Sequence, residues 1–457
     1  MFSKINIVAF MLVVLFSGCD KFLDKQPENM VSVDVLFSDL EGTKAALTGI
    51  YTSMFETNYY NGARMLYPEI TAGNVANIST NRANYLDVYS FTVEAQNSSM
   101  NNLYAQLYTS LYSLNNIILN TPKLSDASAR EQNELLAQAY GLRALHHFDL
   151  VQLFAQPYTY TPNAAHLGIV LATTPIYVSN ANISRSTVAQ VYAQIEEDLQ
   201  RAREHFELSQ SIFLGSRSQY MNRSAVIALQ ARVALQKGDW NQAATYSNEV
   251  INGDFRLYTN QQYTDAWKNA GGSETILEVA APSSFAGESL GNFYVPGSSM
   301  YQFGVSQDLL RLYSDNDIRK SGAVLKYPTY GTAATSVKII RLTEMYLIRA
   351  EAFAENGEIE KALVDLNTIR SRGDFYASAF TTTSQTALVS EILKERRREL
   401  AFEGFYFFDL MRRGLSVERS DCEGLNCNLS YPSDKFVLPL PQQSVNANAK
   451  LIQNPGY

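Results

Sequence analysis

One pattern of catalytic type occurs in this 457-residue chain, at Gly287-Glu288-Ser289-Leu290-Gly291. It fits the G-x-S-x-G spacing, in which a serine nucleophile stands on a sharp turn between a strand and a helix. Here Pro282, Ser283 and Ser284 precede the pattern, and no helical periodicity follows it. All four histidines precede Ser289, whereas the hydrolase order needs a histidine after the serine. The pattern therefore does not predict a hydrolase.

The histidines and acidic residues do not form a recognisable metal site. His146 and His147 are adjacent on a predicted helix, so their side chains point to different faces and cannot make an i, i+4 metal pair. The acidic run at 196–198 is most simply a solvated helix face. No phosphate-binding loop, dinucleotide fingerprint or EF-hand loop occurs in the sequence. We therefore predict no metal and no cofactor.

Aromatic and amide side chains are concentrated in segments that lack helical periodicity, chiefly 58–91 and 252–337. A saccharide site needs aromatic faces to cover the apolar side of a sugar ring and polar groups to bridge its hydroxyls. For any one residue, packing within its own loop is the competing interpretation. We expect the two segments to form one site together. The candidate ligand-binding residues are Tyr59, Tyr60, Asn74, Asn81, Arg82, Tyr85, Trp267, Phe293, Tyr294, Tyr301 and Gln302.

The stretch Glu391–Gly414 combines apolar residues at helical spacing with three consecutive arginines and with Glu395, Glu399 and Glu403, one turn apart. The aromatic run that follows is too apolar for a free surface. We predict one half-buried helix whose charges neutralise one another, with Gly404 allowing close approach of a second backbone. The alternative is a basic patch for nucleic acid or phosphate, which the glutamates and the net charge of −8 disfavour.

The N-terminus reads as a processing segment, residues 1–18, followed by a polar tether, residues 19–37. Lys4 precedes a short apolar run, which ends at Ser17-Gly18-Cys19. Small residues immediately before a cysteine are typical of bacterial lipoproteins, in which the cysteine becomes the acylated N-terminus. We therefore predict lipidation at Cys19, an ordinary secreted protein being the alternative.

The other two cysteines, Cys422 and Cys427, lie close enough in sequence for a small disulfide loop in an oxidising compartment. Two free buried thiols are the alternative. A zinc site is disfavoured because no histidine lies nearby.

Helical patterns form the scaffold that must position these residues. They cover 38–55, 101–120, 128–154 and 187–206. Three irregular excursions, 58–91, 157–182 and 252–337, interrupt them, and a short strand is expected within the third, at 275–280. An apolar content of 46% is enough for a large core.

Two helix-turn-helix units resemble each other. Small residues recur with spacings of 7 and 5, and each residue of the second unit follows its counterpart by 119 positions; the two sets are Ala231, Gly238, Ala243 and Ala350, Gly357, Ala362. This spacing matches tetratricopeptide repeats, where small side chains let paired helices pack closely. The fold class expected is mainly α, a tetratricopeptide-like helical-repeat scaffold carrying long loop excursions.

Several motifs together resemble one known family. They are CDKFLDKQPE after the processing segment, YGLRALHHFDLVQLF, MYLIRAEA, ELAFEGFYFFDLMRRG and the tail FVLPLPQQSVNANAKLIQNPGY. The combination is similar to the SusD/RagB family of surface lipoproteins of Bacteroidota and extends over essentially the whole chain. Two positions depart from the family pattern, since Ser444 stands where a glutamate is usual and Ala449 where a proline is usual.

The resemblance implies a substrate-binding lid over a SusC-like TonB-dependent outer-membrane transporter, without enzymatic activity. It implies an oligosaccharide ligand and a lipid-anchored, surface-exposed position on the outer membrane. Capture of oligopeptides is the first alternative, and a helical scaffold without a small ligand is the second. Ligand-contacting residues vary within the family, so none is carried over. We expect a single domain over 38–457, with an N-terminal part to about 250 and a C-terminal part from about 251.

Overall fold

The computed structural model of the protein describes residues 32–78, 85–215, 217–282, 289–330, 335–422 and 426–457. These ranges are mainly helical, as the periodicity predicts. Up to residue 251, the elements are α1 Val33–Leu36, α2 Leu40–Met54, α3 Ala63–Ala72, β1 Val75–Asn77, α4 Leu86–Tyr89, α5 Ser98–Asn120, α6 Ala129–Phe154, α7 Val188–Leu208, α8 Arg223–Lys237 and α9 Trp240–Ile251.

The remaining helices and strands lie in the second half of the chain. They are α10 Asn260–Ala266, β2 Thr275–Val279, α11 Leu290–Tyr294, β3 Phe303–Val305, α12 Gln307–Leu310, α13 Ala323–Lys326, β4 Val337–Arg341, α14 Leu342–Glu355, α15 Ile359–Gly373, α16 Gln385–Leu400, α17 Tyr406–Arg412 and α18 Gln442–Ala447. Single turns of 3₁₀ helix lie at Thr121–Lys123, Tyr158–Tyr160, Pro162–Ala164, Val178–Asn180, Arg217–Gln219, Ile318–Ser321 and Asp434–Phe436.

Helices that pack against one another in succession form the scaffold. Helices α5 to α9 each pack against the next, α9 packs against α14, and α14 packs against both α15 and α16. The two predicted repeat units are the pairs α8–α9 and α14–α15. Their turns use Gly238 (φ 74°) and Gly357 (φ 78°), which adopt a left-handed conformation that glycine reaches without strain. The repeat interpretation is confirmed.

The first excursion, 58–91, is more regular than its sequence indicated. It contains α3, in which all ten residues are buried. It also contains Pro68 within the helix and the buried charged residues Arg64 and Glu69, none of which is typical of a buried helix interior. The third excursion likewise contains short helices and the expected strand, β2, which pairs antiparallel with β4. Elements of four to seven residues are too short to give a periodic signal.

The stretch Glu391–Gly414 is two helices, α16 and α17, rather than the single helix predicted. Between them Phe402 (φ 68°) and Gly404 (φ 80°) both adopt left-handed backbone conformations, which end the first helix. Their backbone N–H groups donate to the carboxylate of Glu69 on α3, each at 2.8 Å. The close neighbours of Gly404 are side chains of α3 rather than a second backbone, because an added Cβ would lie 3.2 Å from Nη1 of Arg64.

Buried ion pairs surround α16, and we call the following residues the charge network: Glu274, Arg319, Lys326, Arg341, Arg372, Glu395, Glu399 and Glu403. All eight are buried. Glu399 alone contacts Arg372 at 2.6 Å, Arg341 at 3.0 Å and Arg319 at 3.0 Å. Neutralisation is therefore confirmed, but most partners come from other elements and not from the arginines of α16 itself.

Two arginines of α16 have different partners from those predicted. Arg396 contacts Asp409 of α17 at 3.1 Å. Arg397 lies over the ring of Tyr406, 4.3 Å from its centroid, and donates to Asn74. The acidic run at 196–198 also differs from its prediction, because Asp198 is fully buried and contacts Arg143 at 2.6 Å.

Candidate functional site

Strands β1 and β3 join the first excursion to the third. They pair antiparallel with Val75 opposite Val305 and Asn77 opposite Phe303. The pairing continues at one end through Ile78, whose N–H donates to the carbonyl of Gln302 at 3.0 Å. Two segments more than 200 residues apart in the chain are thus held side by side. The structure brings together the two excursions that the sequence assigned to one site.

Four residues of the two excursions keep part of their surface in water, and we call Ile78, Tyr85, Tyr301 and Tyr330 the excursion joint. Ile78 directly follows β1, and Tyr301 lies two residues before β3. Ile78 is 50% exposed and Tyr330 is 43% exposed, while Tyr85 and Tyr301 are partly exposed. The Tyr85 ring packs edge-on against Phe293, with centroids 5.8 Å apart. The core therefore holds the Tyr85 ring in place while part of its surface stays in water.

Tyr59 and Tyr60, both predicted site residues, lie inside the core. Their hydroxyls donate to the same carboxylate oxygen of Asp149 on α6, at 2.7 and 2.8 Å. Arg64 donates to the other oxygen at 2.8 Å. Burial, followed by the negative charge of Asp149, raises the pKa of both tyrosines well above the usual range. These two rings support the fold and do not face solvent.

The other buried candidates are also occupied by protein contacts. Asn74 donates to Glu69 and accepts from Arg397. The ring of Trp267 is covered by cations of the charge network, with Lys326 and Arg341 each 5.0 Å from its centroid. Phe293, Tyr294 and Gln302 are buried as well.

Only two of the described candidates therefore reach the surface, Tyr85 and Tyr301. Asn81 and Arg82 lie outside the described residues. Ile78 and Tyr330 are exposed residues of the excursion joint that the sequence analysis did not identify. For Tyr330 a signal existed, because it stands in the Pro-, Gly- and Thr-rich run after Lys326, a composition typical of a surface loop.

A second aromatic surface lies beside the 157–182 excursion. A cavity of about 420 Å³ opens between α5, the excursion and α18, and we call it the tyrosine groove. The lining residues with hydroxyl or amide groups include Tyr104, Tyr108, Thr109, Tyr112, Asn115, Thr174 and Ser444. Sequence analysis missed it, although tyrosines at i, i+4 and i+8 lie on one face of a helix.

Hydrogen bonds hold the wall of the groove in place. The hydroxyl of Tyr108 donates to the carbonyl of Val170 at 2.9 Å, and Asn115 donates to the carbonyls of Ala172 and Thr174. The exposed ring of Tyr177 packs edge-on against Tyr112, one of the lining residues, with centroids 5.8 Å apart. The groove is therefore a preformed feature of the fold.

The serine and histidines do not assemble a catalytic site within the described residues. A helix, α11, does follow Ser289, contrary to the periodicity, but Ser289 is buried and its hydroxyl donates to Asn292. The rings of His146 and His147 are buried, and burial lowers the pKa of His147 to about 3. His166 and His205 bond to Thr161 and Asn133 respectively.

The described part of the chain shows neither a metal-binding cluster nor a membrane-spanning helix. It contains no cluster of three or more His, Cys, Asp or Glu side chains suited to a metal ion. None of its helices has the length and apolarity to cross a membrane. Cys422 and Cys427 form a disulfide, which decides between the two alternatives left open by the sequence. It closes a hairpin in which Val417 and Leu429 pair. Cys19 lies outside the described residues.

Two family models together match nearly all of the chain. The model described as "SusD family" matches residues 236–457, and the model described as "Starch-binding associating with outer membrane" matches residues 21–235. They meet within α8.

Individual relatives agree with the family models. SusD-like protein P2 of Formosa agariphila is 26% identical over the full length of both chains. The starch-binding protein SusD of Bacteroides thetaiotaomicron is 32% identical over 155 residues, which are 33% of this chain and 26% of that protein.

Solved structures share the fold. A SusD superfamily protein of Bacteroides thetaiotaomicron superposes with a TM-score of 0.81 and 27% identity, covering 91% of this chain and 100% of the other. A protein of Bacteroides vulgatus described as a putative sugar binding protein gives a TM-score of 0.80 and 26% identity, covering 92% and 99%.

Proposed function

The chain belongs to the SusD family, and from that premise we propose that it is a surface lipoprotein that captures oligosaccharides and passes them to an outer-membrane transporter. The observation that carries the proposal is the family match over residues 21–457, whose N-terminal model is described by starch binding and outer-membrane association. The relatives named for starch or sugar binding support a glycan as the ligand class.

The excursion joint is the surface that we propose for this ligand. Tyr85, Tyr301 and Tyr330 supply ring faces of the kind that cover the apolar side of a pyranose. The strand pair β1–β3 holds the two excursions side by side, and the Tyr85 ring of the first packs against Phe293 of the third. A ligand spanning the joint contacts both excursions at once, so its binding depends on residues from both.

The transporter role and the lipid anchor belong to the same proposal. In it, acylated Cys19 holds the protein at the outer membrane, and the folded domain covers a SusC-like TonB-dependent barrel as a lid. Several acyl chains on one cysteine anchor a protein stably in a membrane, whereas a single chain gives only marginal, reversible binding. The small residues Ser17 and Gly18 immediately before Cys19 support the anchor.

Saccharide binding is tested with the chain from Asp20 onward, which contains every described residue. Isothermal titration with maltoheptaose, cellohexaose, mannohexaose and xylohexaose should show binding to at least one of them. Tyr85→Ala should weaken that binding, whereas Tyr376→Ala, at an exposed tyrosine on the loop after α15, should not. Binding of a peptide mixture with none of the saccharides bound would favour the oligopeptide alternative instead.

The anchor and the partner need cells that make the full-length chain. Labelled fatty acid should enter the wild type and not Cys19→Ala. A SusC-like barrel should co-purify with the wild-type chain from detergent extracts. Equal labelling of both forms contradicts the anchor, and recovery of the chain without any barrel contradicts the lid.

A further inference from the structure

We propose that the tyrosine groove is a second binding site for neutral saccharide, separate from the excursion joint. The ligand class of the groove, a saccharide, rests on the proposed function. Its location does not. The groove is formed by α5, the 157–182 excursion and α18, and it shares no residue with the joint. Its volume of about 420 Å³ falls within the roughly 300–1,000 Å³ typical of small-molecule pockets.

The lining favours an uncharged ligand. None of the described residues that line the groove is acidic or basic. Burial raises the pKa of Tyr104 to about 12 and that of Tyr108 well above its usual range, so these phenols stay neutral at physiological pH. A charged sugar or a nucleotide entering here would lose water without gaining a counter-charge. Neutral rings with one apolar face fit this environment.

Saccharide fits the groove better than extended peptide does. A peptide brings backbone N–H and C=O groups that all require partners. The amides that could supply them are used internally, since Asn115 also accepts from Arg143 and Asn448 donates to the carbonyl of Ile183. The side-chain hydroxyls of Thr109, Thr174 and Ser444 remain at the wall, and a hydroxyl both donates and accepts, which suits sugar hydroxyls.

Ser444 makes a chain-specific test available. A glutamate is usual in the family at the position of Ser444. The fold is therefore expected to accept Ser444→Glu, which introduces a negative charge into the groove. Tyr177→Ala removes an exposed ring that packs edge-on against Tyr112 of the groove. The matched control is Tyr160→Ala, at a 39% exposed tyrosine of the same excursion whose ring packs against His166 and not against a tyrosine of the groove.

Titration calorimetry measures the number of saccharide molecules bound per chain and their affinity. It uses the chain from Asp20 onward and whichever of the four saccharides the wild type binds best. We expect two molecules per wild-type and per Tyr160→Ala chain, and about one per Ser444→Glu chain. Tyr177→Ala should weaken the groove site roughly tenfold or more. The double variant Tyr85→Ala/Tyr301→Ala should keep the groove site alone.

The outcomes separate the two proposals. One molecule per wild-type chain, with Ser444→Glu and Tyr177→Ala titrating as wild type, overturns the groove and leaves the proposed function standing. Binding that survives in the joint double variant and disappears in both groove variants supports the groove and overturns the joint as the first site. Absence of binding to all four saccharides by a folded wild type overturns both.

Discussion

The charge network and the excursion joint use polar and aromatic residues in opposite ways. In the network, Arg319, Arg341 and Arg372 are buried, and each contacts the carboxylate of Glu399 within 3.0 Å. In the joint, Tyr85, Tyr301 and Tyr330 keep part of their surface in water. A buried charge must be paired, because desolvation costs more than any single contact returns. An aromatic ring needs no ion-pair partner, so it can lie either in the core or at the surface.

This contrast predicts that the network determines stability and the joint determines binding. Glu399→Ala leaves three buried guanidinium groups short of a partner and should lower the free energy of unfolding by about 3–5 kcal/mol. Chemical denaturation of the purified chain measures the loss. The control is Glu197→Ala, which breaks a half-exposed pair with Arg201 and should cost at most about 1 kcal/mol.

Unchanged stability of Glu399→Ala together with loss of saccharide binding would contradict the contrast. In that case the charge network would belong to the ligand site rather than to the core.

Acid should affect the network and not the aromatic surfaces. Burial on its own raises the pKa of Glu399, but Arg372, Arg341 and Arg319 outweigh burial and hold that pKa well below the usual range. A carboxyl with a depressed folded-state pKa contributes stability that is present above its unfolded pKa, about 4.3, and is lost as pH falls through the folded value.

The difference in unfolding free energy between wild type and Glu399→Gln should thus be largest near neutral pH and shrink below about pH 4.3. Comparing the two proteins isolates this residue from Glu69 and Asp198, whose pKa values burial raises. Denaturation curves at several pH values measure it. A difference that stays constant down to about pH 3 would show that Glu399 is not held as an anion by the arginines.

The same contrast explains what the sequence could predict. Repeat units were readable because Gly238 and Gly357 must end helices, and because small alanines recur where helices pack. The burial of charged residues in α16 could be predicted from the sequence, because its arginines and glutamates stand next to a run of aromatic residues. The ion-pair partners of Glu399 could not be predicted, since Arg319, Arg341 and Arg372 come from distant parts of the chain.

The candidate site was less predictable because tyrosine gives no signal of its own exposure. Tyr60 and Tyr85 stand in similar Asn- and Tyr-rich surroundings, yet Tyr60 donates to buried Asp149 and Tyr85 keeps part of its surface in water. Asp149 lies 89 positions away from Tyr60, and nothing local to the tyrosine indicates it. Tertiary contacts of this kind decide which aromatic residues remain available to a ligand.

Within the joint, binding should depend on ring faces. Tyr85→Ala and Tyr301→Ala should each weaken saccharide binding by about 1–3 kcal/mol, and Tyr85→Phe should keep most of the affinity because the face survives. Tyr294→Ala is the informative comparison, since that ring is buried against Tyr327 and Phe402. It should lower stability by about 3–5 kcal/mol instead. Calorimetry and denaturation on the same samples separate the two effects, and equal affinity of all the alanine variants would move the site away from the joint.

The smallest effect expected is that of salt on binding. Ring faces hold a neutral saccharide by dispersion and desolvation, which counter-ions do not screen, whereas attraction between exposed charges weakens beyond a Debye length of about 10 Å at 0.1 M. Affinity should therefore change less than about twofold between roughly 0.05 and 0.5 M sodium chloride. Calorimetry across this range checks it, with Tyr85→Phe as the matched variant. A steep loss of affinity with salt would mean that the ligand carries charge, which would direct attention from the tyrosines to the predicted site residue Arg82.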